Sequence, residues 1–139
     1  MAQTDLPDYK TLYLQTAKEY ADKMSASCIE LSIDISNKEA LNNLHIASHS
    51  LKSQSQVMQY NDVANICLSI ENTSDNALKG SAQLTSDIVT NIKSLIEEIK
   101  EGIRKGERSE DNLDKKKKLD FLVAPIILTL DKRFLEQRG

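Results

Sequence analysis

Between residues 38 and 59 the chain reads KEALNNLHIASHSLKSQSQVMQ. Leu41, Leu44, Ser48, Leu51, Ser55 and Met58 recur here at alternating steps of three and four. That spacing places all six on one side of an α-helix, and a strand would need alternation by twos. Two positions on this heptad-like seam, Ser48 and Ser55, are small and polar. Upstream, Asp34 to Asn37 is a polar break, with Ser36 as candidate N-cap and Glu39 three residues on, as in a capping box. The segment therefore predicts one amphipathic helix, Lys38 to Gln59, packed by its leucine seam into a bundle.

The same period extends outward in both directions. Tyr13, Ala17, Tyr20, Met24, Cys28, Leu31 and Ile35 predict a first helix from Asp8 to Ile35, with Pro7 suited to its opening turn. A third helix begins at Asn61 or Asp62, either of which can cap it. It turns Val63, Ile66, Cys67 and Ile70 inward and stops at Gly80. Thr85 or Ser86 opens a fourth, with Ile88, Ile92, Leu95, Ile99 and Ile103 inward and Gly106 as terminator. The apolar segment Leu119 to Leu135 predicts a fifth helix, kinked or restarted near Pro125. Short loops favour antiparallel neighbours. The expected fold is all-α, an antiparallel up-down four-helix bundle over 1–106. A linker and an additional C-terminal fifth helix follow over 107–139.

Composition agrees with a helical chain. In 139 residues there are four glycines, two prolines and no tryptophan, and aromatics make up 4%. So few turn-formers argue against a many-stranded sandwich or a glycine-looped nucleotide fold, and the core must be aliphatic. A net charge of −3 gives no electrostatic case for nucleic acid. The basic run Lys115 to Lys118 is bracketed by Glu110, Asp111, Asp114 and Asp120 and reads as a solvated stretch. No signal-peptide pattern opens the chain and no apolar run is long enough to insert in a membrane, so a soluble, cytoplasmic protein is expected. Cys28 and Cys67 fall in helical apolar patterns, as buried reduced thiols do.

The two histidines, His45 and His49, both lie on the second helix. At about 100° per residue, His49 falls roughly 140° from the centre of the leucine seam and should face solvent. His45, Lys52 and Gln56 share its stripe, and Ile46 and Val57 flank it as apolar residues off the core face. Two histidines one turn apart can hold a metal ion, but the sequence places no third ligand nearby, so no metal is expected.

The stretch Ala47-Ser48-His49-Ser50-Leu51-Lys52 is followed by Met58-Gln59-Tyr60 and by Cys67-Leu68-Ser69-Ile70-Glu71-Asn72. Together they resemble histidine-containing phosphotransfer (HPt) domains, most closely the N-terminal phosphotransfer domain of the chemotaxis histidine kinase CheA. Leu84-Thr85-Ser86-Asp87-Ile88 on the fourth helix is similar to that family too. The resemblance covers roughly Asp8 to Lys105. It implies that His49 is phosphorylated, that Glu71 orients its imidazole, and that Lys52 offsets the phosphoryl charge. His45, Ile46, Ser53, Gln56 and Val57 are then the candidate partner-binding residues. Two positions depart from the family: Ser53 follows the lysine where glycine is common, and Gln59 stands where a second glycine is common near the helix end.

The resemblance implies a phosphocarrier in two-component, chemotaxis-type signalling. A histidine kinase's ATP-binding domain, in cis or in trans, is the expected donor, and a response-regulator receiver domain the acceptor. ATP and magnesium belong to those partner domains, and no cofactor is expected on this chain. It lacks a glycine-rich phosphate loop, so it is expected to be a substrate and relay rather than a complete enzyme. Whether it is the first part of a kinase or a free shuttle stays open. The alternative is a degenerate, non-phosphorylated helical interaction module that binds a receiver or a partner helix through the same face.

Overall fold

A computed structural model describes the backbone over residues 2–123 and the side chains over 9–109. Four helices follow one another: α1 (Ala2–Ile33), α2 (Lys38–Val57), α3 (Asn61–Lys79) and α4 (Ser86–Val123). No strand occurs among the described residues. Each helix packs on its two neighbours in a ring, α1 on α2, α2 on α3, α3 on α4 and α4 on α1. Contacts fix the directions. Tyr13 near the start of α1 meets Ser55 near the end of α2, and Lys100 on α4 lies by Asp22 while Glu107 lies by Lys18 on α1. Neighbouring helices therefore run antiparallel, as loops confined to 34–37, 58–60 and 80–85 require.

The core is a column of aliphatic side chains. Met24, Leu31, Leu44, Leu51, Ile70, Ile96, Ile99 and Ile103 are fully buried. Burying each such side chain contributes about 1.5–3 kcal/mol relative to exposure, and this term holds the four helices together. The seam of α2 packs inward along its length, with Met58 partly buried at its end. On α4 the phase differs from the expectation: Val89 and Ile96 are buried, whereas Ile88 and Leu95 sit at the rim of the core. Because α4 touches only α1 and α3, its inward line is 89–92–96–99–103. On α1, Leu14 and Ala21 join the core, while Tyr20 is partly buried and Ile35 lies exposed in the loop. Cys28 and Cys67 are free thiols inside the core, and burial pushes them up to about 11 and about 12, so both stay protonated.

Several predicted boundaries move. Asn37, not Ser36, caps α2, its Oδ1 accepting the Ala40 N–H at 3.0 Å. Ser36 instead spends its hydroxyl and its N–H on Asp34 Oδ1, closing the turn before the helix. Helix α3 starts at Asn61 itself, with the Tyr60 carbonyl accepting the Ala64 N–H, so Asn61 and Asp62 lie in its first turn. Thr85 caps α4 by accepting the Ile88 N–H. Gly80 ends α3 in the left-handed region at φ 79°, as expected. Helix α1 starts before Pro7, which forfeits one backbone hydrogen bond within it.

The largest correction concerns Gly106, which does not end α4. The helix runs on to Val123, and Leu119 to Val123, expected in a separate fifth helix, belong to it. The rest of that expected helix, 124–135, lies outside the described residues. Gly106 is there for close approach: a Cβ would stand 2.8 Å from Tyr60 Oη and 2.9 Å from Leu14 Cδ2. Tyr60 in turn packs its ring on Tyr13, with centroids 4.8 Å apart, and Tyr13 bonds Ser55 Oγ at 2.6 Å.

Candidate functional site

Helices α2 and α3 form the most intimate pair in the bundle, and their buried faces carry Ala47, Ser48, Ser55, Ala64, Cys67 and Ser74. Side chains this small let the two backbones close, so that residues on the outer rim of one reach the other. Ser48 and Ser74 satisfy their buried hydroxyls on their own helices, donating to the His45 and Ile70 carbonyls. Their burial therefore leaves no orphan donor in the seam.

At that rim His49 meets Glu71. The Nδ1 of His49 lies 2.6 Å from Glu71 Oε2, and Lys52 Nζ lies 2.6 Å from Glu71 Oε1. Each carboxylate oxygen thus has one partner from α2. Exposure divides the three: the His49 side chain is 56% exposed, whereas Glu71 and Lys52 are at 14% and 17%. Burial alone pushes the Glu71 carboxyl up, but Lys52 and His49 together outweigh it and hold the group below its ordinary value. Glu71 is therefore ionised at neutral pH and can only accept. The proton of a neutral His49 ring then resides on Nδ1, and its lone pair is on Nε2, which no described residue hydrogen-bonds.

Lys52 stands beside the same carboxylate. Its ammonium is engaged with the carboxylate, one turn along α2, and is mostly covered. His45 is half-buried rather than outward, with Nδ1 3.4 Å from Ser74 Oγ on α3. The other four candidates face solvent: Ile46 at 53% and Val57 at 80%, together with Ser53 and Gln56. Two neighbours escape a reading of α2 alone. Ser74, three residues after Glu71, meets His45, and Leu68, three before it, is an exposed apolar residue on the same stripe of α3. The i±3 spacing about Glu71 is the signal that finds both.

Gln59 closes α2 in the left-handed region, at φ 63°. Its N–H donates to the Gln56 carbonyl and the Tyr60 N–H to the Ser55 carbonyl, the double bond pattern of a Schellman ending. A helix ending that suits glycine is thus retained with glutamine in place. Among the described residues no group of three or more histidine, cysteine or acidic side chains is gathered as for a metal ion, and no helix is long and apolar enough to cross a membrane.

An antiparallel helical bundle presenting one exposed histidine with a carboxylate behind it defines a class, and comparison with known proteins agrees. The Hpt domain family profile matches residues 8–102, and the chain belongs to that family. It is similar to the chemotaxis protein CheA of Halobacterium salinarum, 24% identical over 82 residues, and to that of Bacillus subtilis, 26% identical over 83 residues. These alignments take in 59% and 60% of this chain but only 12% of either relative, so the chain corresponds to a small part of their length. Among solved structures it resembles the CheA phosphotransferase domain from Thermotoga maritima, with TM-score 0.67 and 25% identity over 71% of this chain and 94% of that one. A protein with a redesigned hydrophobic core, at TM-score 0.63 and 22% identity over 84% of this chain and 94% of that one, shares the fold.

Proposed function

We propose that this chain is a phosphocarrier of two-component, chemotaxis-type signalling, and that His49 is its phosphoryl acceptor. The carrying observation is the 2.6 Å contact of His49 Nδ1 with a mostly covered, ionised Glu71 on an otherwise exposed ring. A carboxylate on one ring nitrogen fixes the tautomer and raises the basicity of the other. In the forward step the Nε2 lone pair attacks the γ-phosphorus of ATP held by a kinase domain. The Nε2–P bond forms, the bond from phosphorus to the ADP oxygen breaks, and ADP leaves. Glu71 compensates the positive charge that the ring acquires. In the second step a receiver aspartate oxygen attacks the same phosphorus, and the N–P bond returns its electron pair to Nε2. ATP and magnesium belong to the partner domains, so the work of this chain is positioning.

Lys52 acts in this reading chiefly through Glu71, holding Oε1 so that Oε2 aims at His49. Ile46, Ser53, Gln56 and Val57 supply the exposed surface on which kinase and receiver domains dock in turn. The test is incubation of the purified protein with a CheA-type kinase catalytic domain and γ-labelled ATP. Base-stable, acid-labile label on the wild type and none on His49→Gln is the expected result. Undiminished labelling of His49→Gln refutes the assignment. A wild type that never takes label, although the kinase labels its own substrate, favours the interaction module without chemistry.

A further inference from the structure

Glu71 meets two residues of α2, His49 and Lys52, through one carboxylate. A single residue of α3 held in this way fixes one point and leaves the helix free to pivot about it. A second tie lies one turn away on both helices. His45 Nδ1 stands 3.4 Å from Ser74 Oγ, and three residues of helix carry Ser74 about 4.5 Å along α3 from Glu71. Ser74 is fully buried, and its hydroxyl has the Ile70 carbonyl at 2.9 Å and the Glu71 carbonyl at 3.0 Å. Those shorter contacts take its one proton, so its oxygen is left to accept the Nδ1–H of His45. The path therefore runs from the His45 ring through Ser74 to the backbone of Glu71, and it involves no atom of the Glu71 carboxylate.

We infer that His45 is a positioning residue for His49: through Ser74 it holds the register of α3 against α2 that brings Glu71 onto Nδ1. Its effect on the reaction rests on the phosphoryl-acceptor reading of His49. Packing sets this register only shallowly, because the buried faces of the two helices carry the small side chains of Ala47, Ser48, Ala64, Cys67 and Ser74. Where side chains interlock so little, a polar pair across the seam is what specifies alignment. The alignment matters because the His49–Glu71 bond is 2.6 Å long, and lengthening it by about 1 Å ends it. The surroundings of His45 fit a strut better than a docking surface. It is half-buried and turned to α3, whereas Ile46 and Val57 on the same helix are exposed.

The test follows phosphate uptake from a CheA-type kinase domain, at a series of kinase concentrations, in His45→Ala, Ser74→Ala and the double variant. Each single variant should lower the rate at saturating kinase about 2- to 10-fold, the span of one neutral hydrogen bond. The half-saturating concentration and the final level of label should not change. The double variant should be no slower than the singles, since all three lack the same bond. His45→Asn should restore most of the rate, because its amide nitrogen can donate from the place of Nδ1. Nitrogen-15 spectra taken without kinase give a second reading. The His49 proton should reside on Nδ1 in the wild type and in His45→Asn, and divide between the two ring nitrogens in His45→Ala. Circular dichroism checks the fold of each variant, and Ser74→Ala carries the test if His45→Ala does not fold. An unchanged saturating rate, an unchanged His49 tautomer, a shifted half-saturating concentration, a double variant slower than both singles, or label on His45 overturns the inference. A wild type that takes no label refutes the acceptor reading alone, and the His49 spectra then decide the positioning.

Discussion

At the residue scale the proposed chemistry rests on Glu71, whose carboxylate meets both His49 and Lys52 of α2. Replacing it by glutamine keeps the shape but lets an amide donor face Nδ1, so the tautomer is no longer imposed. Phosphate uptake should slow by about 10- to 100-fold, measured as the initial rate of labelling, with uptake retained at long times. The same group makes stability depend on pH, and its sign is determined. The folded value of Glu71 lies below its unfolded one, so its contribution is fully present above the ordinary carboxylate range and is lost as pH falls through the folded value. Urea unfolding followed from neutral pH to pH ~3 should therefore lose less stability in Glu71→Gln than in the wild type.

How much of this site the residues disclose in advance depends on distance along the chain. His49 and its solvent-facing side follow from the seam Leu41, Leu44, Ser48, Leu51 by rotation alone, since helix geometry is local. That Glu71 reaches it follows only from the resemblance, because their encounter depends on how closely two helices approach. The attachment of Lys52 to Glu71, and of His45 to Ser74, was beyond both. Each is set by the register of α2 against α3, which no periodicity within one helix contains.

At the element scale the helix ends show the same division. Gly80 and Thr85 do what their types suggest, since a left-handed stop and a hydroxyl cap are matters of a few neighbouring bonds. Gly106 reads as a stop by the same rule, yet it serves contact with Tyr60 and Leu14 from other elements. Gly106→Ala should therefore destabilise the fold by about 1–3 kcal/mol in chemical denaturation, more than its gain in helix propensity restores. The opposite change is expected at Gln59, which holds a left-handed conformation that costs an L-residue roughly 1–2 kcal/mol. Gln59→Gly should raise stability by up to about 1 kcal/mol, read from the same denaturation curves.

At the scale of the whole molecule the bundle is a rigid mount. Its four helices close a ring of contacts, and its aliphatic core lies on the far side of α2 from His49. Chemistry and packing are thereby separable. Leu44→Ala, deep in the core, should cost about 2–5 kcal/mol of unfolding free energy. His49→Gln, on the exposed rim, should leave the thermal midpoint nearly unchanged. The composition that makes the chain helical also thins the site of glycine, at Ser53 and Gln59. The backbone at Gln59 keeps the glycine-like turn, and Ser53 remains a small exposed residue one turn beyond His49.

The central claim is that a single imidazole nitrogen on α2 carries phosphate. Its most direct measurement is the site of label after reaction with a CheA-type kinase domain and γ-labelled ATP, mapped by mass spectrometry under neutral conditions. Phosphate on His49 of the wild type, and its absence from a fully folded His49→Gln, is the predicted result. Phosphate on any other residue, or equal labelling of the two proteins, contradicts it.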